Sequence, residues 1–315
     1  MAIQITRPGK NALILEVPVM AAAGILGFGD TYRDLIQFEK LGAFVTNPVT
    51  YTPWKPATGN RVVELPAGTL VHTGIPNPGI SKVLAKYRSM WEAMAMPVIM
   101  HIAATTLEHA RKCASRIDAE SAIDGIELGL NDDVDWEEVE QMVSATIKNT
   151  EKPVLVRLPM NNTLNLGHAA ADAGASGLVA CAAPRGAARD PRSGQLLTGR
   201  IYGPMIKPIV LRLVQQLAEQ LPDVPIIGAG GIHSQQDARD YIEAGAKAVQ
   251  VDTVTWIQPK LLEYIARDLG GLVLTRAAGA LADEWHPGFG ETERKARDDA
   301  KRNLDEDSKK TPTGH

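Results

Sequence analysis

Two short stretches late in the chain carry the strongest chemical signal. Gly228-Ala229-Gly230-Gly231-Ile232 closes one apolar run, and Gln250-Val251-Asp252-Thr253 closes the next. Glycine has no side chain, so the N–H groups of such a turn can come close to an anion, and a helix N-terminus beside it adds a favourable dipole. The pair of loops predicts a phosphate site, with a plain tight turn as the alternative for the glycines. His101, in Ile99-Met100-His101-Ile102, is a candidate acid or base because imidazole works near neutral pH without tuning. A buried, hydrogen-bonded structural role is the other reading of His101. Arg185, Arg189, Arg192 and Arg200 cluster in one segment, where guanidinium forks suit carboxylate or phosphate ligands or simply solvate a loop. Cys113 and Cys181 are the only cysteines and read as small buried hydrophobes. No His, Asp or Glu spacing predicts a metal site.

Something must position these groups, and the hydrophobic pattern says what. Short, nearly continuous apolar runs bounded by Gly or Pro occupy residues 17–24, 43–50, 97–104, 125–130, 153–158, 177–183, 225–230 and 248–253. Runs of that length suit parallel strands buried on both faces. Helix-like segments lie between them at 32–41, 106–116, 136–148, 166–173, 204–220, 235–244 and 259–268. Eight strands in a strand-then-helix rhythm predict an α/β fold of the (β/α)8 TIM-barrel type; an open doubly wound sheet is the runner-up. Two stretches interrupt the rhythm. Residues 60–79 hold a strand-like segment and a Pro/Gly turn, and residues 184–202 hold the arginines in a loop or hairpin. Both fall on the C-terminal face, where barrel active sites are built. The expected division is a barrel over residues 1–270 and a charged helical extension and tail over 271–315.

Composition narrows the class. The 315 residues carry 33 Lys plus Arg against 37 Asp plus Glu, a formal charge of −4, which argues against a nucleic-acid partner. No apolar run reaches the length of a membrane helix, and two cysteines are too few for a disulfide scaffold. A cytoplasmic protein is expected, with no membrane partner.

Several motifs together resemble the soluble dihydroorotate dehydrogenases. They are Ala21-Ala22-Ala23-Gly24 after a Pro-Val-Met strand, Gly59-Asn60-x-Val62, Gly74-Ile75-x-Asn77-Pro78-Gly79 and Gly203-Pro204-x-Ile206-Lys207-Pro208. Gly228–Ile232 and the Gly245–Val251 run before Thr253 complete the set, in the family's order across roughly residues 12–258. The resemblance implies FMN at the C-terminal strand ends, with hydride passing to it from dihydroorotate or a related small carboxylated ring. It implies a CH–CH oxidoreductase of pyrimidine biosynthesis. With no cysteine cluster for an iron–sulfur centre and no membrane-docking helix before the barrel, a soluble electron acceptor is expected, and so is a homodimer. Carried over residue by residue, it puts Ala22, Ala23, Gly24, Asn47, Arg157 and Asp252 about the cofactor, with Gly203, Gly230, Gly231 and Thr253 near its phosphate. His72, Asn77 and Asn131 would face the substrate.

The departures gather at the substrate end. Where the family's strand reads Thr-Lys-x-Val-Thr, this chain has Thr46-Asn47-Pro48-Val49-Thr50; its Leu-Asn becomes Val71-His72. Its Asn-x-Ser-Cys-Pro-Asn becomes Gly129-Leu130-Asn131-Asp132-Asp133-Val134, its Lys becomes Arg157, and its Asn-Thr becomes Ala182-Ala183. Asp132 thus stands where the family has its catalytic Cys. It reads either as the base or, with Asp133 and Asp135, as an acidic cap on the helix beginning at Trp136. Lost amides argue for weaker orotate binding. A divergent barrel with another reaction, or a catalytically silent subunit, are the alternative readings.

Overall fold

The computed structural model describes residues 3–277. Eight parallel strands form the barrel: β1 (Val19–Ala21), β2 (Phe44–Val45), β3 (Val98–Ala103), β4 (Gly125–Gly129), β5 (Val154–Leu158), β6 (Gly177–Ala180), β7 (Ile226–Ala229) and β8 (Ala248–Val251). β8 pairs with β1 through Val249 and Val19, and a bridge from Met20 to Ala43 brings β1 beside β2 and rounds off the ring. Each strand falls within an apolar run expected from the sequence.

Side chains alternate along the strands, as the pleat requires. Val19, Met100, Ile126, Leu128, Val156 and Val249 belong to the cluster packed under the helices. Met20, Val45, Ile99, Leu155, Val179, Ile227 and Ala248 fill the barrel interior. The interior is plugged from the N-terminal strand ends by an antiparallel hairpin, Ile3–Gln4 with Ile14–Leu15, which adds Ile5, Leu13 and Leu15. Arg7 N–H donates to Ser176 O just before β6, which fixes that plug.

The helices are α1 (Ile80–Glu92), α2 (Leu107–Asp118), α3 (Trp136–Ile147), α4 (Thr163–Asp172), α5 (Lys207–Gln220), α6 (Gln235–Glu243), α7 (Val254–Ile257) and α8 (Pro259–Ala277). One expected helix does not form. Residues 32–41 hold only a 3₁₀ turn at Phe38–Lys40, because Tyr32 is left-handed (φ 65°) and Gln37 is extended. Instead α1 supplies the helix before β3, burying Ile80, Val83, Leu84, Tyr87 and Trp91 at helical spacing. Helix α8 runs across the boundary expected at residue 270, and most of the expected extension at 271–315 lies outside the described residues.

The two insertions meet. Val62–Leu65 and Gly68–Val71 form one hairpin, Arg185–Arg189 and Leu196–Tyr202 another, and Val71 opposite Arg200 joins them in a four-stranded antiparallel sheet. This sheet roofs the C-terminal mouth of the barrel.

Candidate active site

Under the roof lies a cavity of about 530 Å³, within the ordinary range for a small-molecule site. Its wall contains Ala22, Ala23, Gly24, Asn47, His72, His101, Asn131, Asp132, Arg157 and Asp252. Gly203, Gly230, Gly231 and Thr253 are buried and do not line it. Asn77 also lies outside the wall. Its Oδ1 accepts from Thr50 N–H at 3.2 Å, Thr50 Oγ1 at 3.0 Å and Gly79 N–H at 3.0 Å, so it organises the loop before α1.

The floor is a polar layer that the strand register builds. His101 on β3 and Glu127 on β4 are direct partners in the ladder. Arg157 on β5 and Gln250 on β8 sit two residues beyond the interior Leu155 and Ala248, so they face the same way. Glu127 is wholly buried, and its Oε1 lies 2.8 Å from His101 Nδ1 and 3.3 Å from Arg157 Nη1. Its Oε2 accepts from Gln250 Nε2, and Arg157 Nη1 also donates to Gln250 Oε1 at 2.5 Å. Burial pushes the Glu127 carboxyl up, but the His101 hydrogen bond, the charge of Arg157 and Gln250 outweigh it and hold it at about 2. An ionised Glu127 accepts only, so it draws the imidazole proton to Nδ1 and leaves Nε2 of neutral His101 an acceptor. Nε2 has no hydrogen-bond partner among the described residues. Gly129 gives it room, since a Cβ there would stand 2.6 Å from it.

Sequence reasoning gave no role to Glu127 or Gln250. The signal was a lone carboxylate in the run Gly125-Ile126-Glu127-Leu128: a charge inside a buried strand needs partners.

Asp132 has a different setting at the rim. Arg200 grips it with two bonds of 2.9 Å each, Nη1 to Oδ1 and Nη2 to Oδ2, and Arg185 Nε donates to Oδ2 at 2.7 Å. Helix α3 is capped instead by Asp135, in a reciprocal capping box with Glu138. Of the four insertion arginines, Arg185 and Arg200 therefore meet Asp132, while Arg189 donates to Gly194 O.

At the far end, Asp252 is 4% exposed and Thr253 Oγ1 donates to its Oδ1 at 3.4 Å. Burial pushes the Asp252 carboxyl above its usual value, opposed by His233, the Thr253 and Gly231 backbone N–H groups and Arg157. Three buried polar side-chain atoms among the described residues are orphaned: Asn47 Oδ1 in the cavity wall, His233 Nδ1 beyond Gly231 and Thr255 Oγ1 after Thr253. Such atoms fit a site that a ligand completes. The two cysteines are buried, and burial pushes each thiol up to about 12. Among the described residues, no group of three or more His, Cys, Asp or Glu could hold a metal ion, and no helix is long and apolar enough to cross a membrane.

Residues 11–273 match the family model for dihydroorotate dehydrogenase. The dihydroorotate dehydrogenase B (NAD(+)) catalytic subunit of Pelobacter propionicus is 36% identical over 276 residues, covering 82% of this chain and 90% of its own. The subunit of the same name from Citrifermentans bemidjiense is 35% identical over 286 residues, covering 84% and 92%. That from Thermoanaerobacter pseudethanolicus is 34% identical over 270 residues, covering 79% and 87%.

Proposed function

The chain belongs to the dihydroorotate dehydrogenase family, and from that premise we propose that His101 is the proton acceptor of a flavin-dependent CH–CH oxidation carried out in the roofed cavity. The reaction is oxidation of dihydroorotate or a related small carboxylated ring, a step of pyrimidine biosynthesis. The family's cofactor is FMN, which, when bound, takes the hydride. The ring end of the cavity fits that group: Ala22, Ala23 and Gly24 offer a flat, small-residue wall, Asn47 Oδ1 lacks a partner, and Arg157 supplies a cation. These residues would hold the ring.

Making a double bond from two adjacent CH groups removes one hydride and one proton. The proton goes to His101 Nε2, the acceptor that Glu127 creates by holding the proton on Nδ1. Glu127 is itself fixed by Arg157 and Gln250, so the imidazole turns little between cycles. At the cavity floor Glu127 is wholly buried and Arg157 nearly so, and that burial strengthens the charge interactions between them. Asp132 is the weaker candidate because guanidinium N–H groups already engage both of its oxygens. Asn131, exposed at the rim, and His72, exposed on the hairpin edge, are substrate contacts in this reading.

The observation that carries the assignment is the His101 Nδ1–Glu127 bond of 2.8 Å with Nε2 left without a partner. Anaerobic mixing of purified flavoprotein with dihydroorotate, followed by loss of flavin absorbance, tests it. His101→Gln is expected to slow reduction about 100-fold, and Asp132→Asn to leave it within a few-fold. Unchanged reduction in His101→Gln, or a protein that takes up no flavin, sinks the reading.

The relatives are named as catalytic subunits linked to NAD(+), which supports a second polypeptide that carries electrons onward. The chain's own two cysteines are buried and cannot anchor a cysteine-ligated relay. A homodimeric arrangement of the barrel and a cytoplasmic location accompany this reading.

A further inference from the structure

Asp252 is the next residue after Gln250 to point inward along the end of β8, and it lines the cavity. The loops after strands seven and eight are where barrels commonly present N–H groups to a phosphate. Here the N–H groups of Thr253 and Gly231 act on the Asp252 carboxylate, and Thr253 Oγ1 donates to it. Asp252 belongs to the cavity wall while Gly230, Gly231 and Thr253 do not, so the group that meets the open volume here is an acid whose carboxylate already draws on the Thr253 and Gly231 N–H groups. The turn itself is fixed. Gly231 has φ +68°, and a Cβ there would meet Lys207 N at 2.5 Å.

We propose that Asp252 is a built-in competitor for the phosphate, so that the site takes the phosphate of a phosphorylated flavin only when the Asp252 carboxylate gives up its charge or its place. The inference rests on the flavin reading above. Two anions cannot share one cradle cheaply, because like charges brought together in a dry site repel strongly. Binding a phosphate is therefore coupled to uptake of a proton by Asp252. Burial already inclines the carboxyl that way. The other titratable or charged groups that interact with Asp252 are His233, Arg157, Tyr202 and Tyr241. Of these, His233 and Arg157 favour its charge.

Titration of flavin-free protein with FMN and with riboflavin, read by quenching of flavin fluorescence, tests the idea. At about pH 8.5, Asp252→Asn is expected to bind FMN about 10-fold or more tightly than the parent. The gap should narrow toward about pH 5.5, where more of the parent's Asp252 is protonated. Riboflavin, lacking the phosphate, should bind both proteins alike at every pH. Comparison with the variant removes the pH dependence of the phosphate group itself. Equal FMN affinity in parent and variant across the range overturns the proposal, as does weaker binding by the variant.

Inorganic phosphate tests the cradle without flavin. It should raise the melting temperature of Asp252→Asn and of Asp252→Gly at about pH 8.5, and not that of the parent. If neither protein binds flavin but phosphate stabilises only the variants, the flavin reading fails and the role of Asp252 stands. Equal stabilisation of parent and variants by phosphate overturns that role.

Discussion

Glu127 and Asp132 lie five residues apart in sequence, the first buried behind the His101 and Arg157 of the cavity wall and the second in that wall, yet they are held in opposite ways. Glu127 sits inside the barrel, wholly buried, with partners from β3, β5 and β8 that the strand ladder places for it. Asp132 sits at the rim, and its partners Arg185 and Arg200 come from a hairpin, Arg185 largely exposed. The ladder fixes the first group before any side chain chooses a rotamer. The second depends on long hairpin side chains reaching over a carboxylate that is itself 8% exposed. Rigid chemistry at the floor and an adjustable grip at the roof follow from that contrast.

The contrast is sharpest if the floor is broken. Glu127→Ala strands Arg157 without its buried partner, and loss of one member of a buried pair costs about 3–5 kcal/mol. Calorimetry should show a melting temperature lower by about 10 °C; a drop under about 2 °C would mean that the polar layer does not support the barrel mouth. Acid should act on the same group. Glu127 has its folded value held at about 2, below the ordinary value of 4.5. Its contribution is therefore complete above the ordinary value and fades as pH falls toward 2. Denaturant midpoints measured through that window should decline for the parent and decline less for Glu127→Gln.

A subtler change separates chemistry from support. Glu127→Gln keeps the shape but removes the charge that sets the His101 tautomer. Flavin reduction should slow about 10-fold or more, and the slowing should shift the pH profile rather than the substrate KM. At the roof the effect should be smallest. Asp132→Asn is expected to cost about 1 kcal/mol or less, visible mainly as faster proteolysis within the 185–202 hairpin. A rate loss at Asp132 equal to that at Glu127 would erase the distinction between floor and roof.

Much of the barrel was legible because its strands are buried on both faces, so each is a short apolar run with Gly or Pro at its ends. Where burial is partial, the pattern misled. Residues 32–41 mix buried Ile36, Phe38 and Leu41 with a left-handed Tyr32, and no helix forms. Helix α1 had the right spacing, but it follows directly on Pro76, Pro78 and Gly79, which read as turn. His101, Arg157 and Asp252 could be singled out by type and position. Their relations could not, because Glu127, Arg157 and Gln250 meet only through the register of strands far apart in sequence. The pairing of Val71 with Arg200 was hidden for a similar reason: it joins two hairpins more than a hundred residues apart, and neither hairpin names its partner.

The ring is completed by β1 against β8, the first barrel strand against the last, and plugged from below by residues that precede both. Nearly the entire barrel lies between the two halves of that seam. On a ribosome, the edge of β1 that pairs with β8 must therefore wait until that final strand emerges, and only then can the interior be sealed. Folding dominated by so distant a pairing is slow relative to folding through local contacts. Ile14, Val19 and Met20 make that waiting segment apolar, so the interval before closure is when the nascent chain most needs shielding from its neighbours.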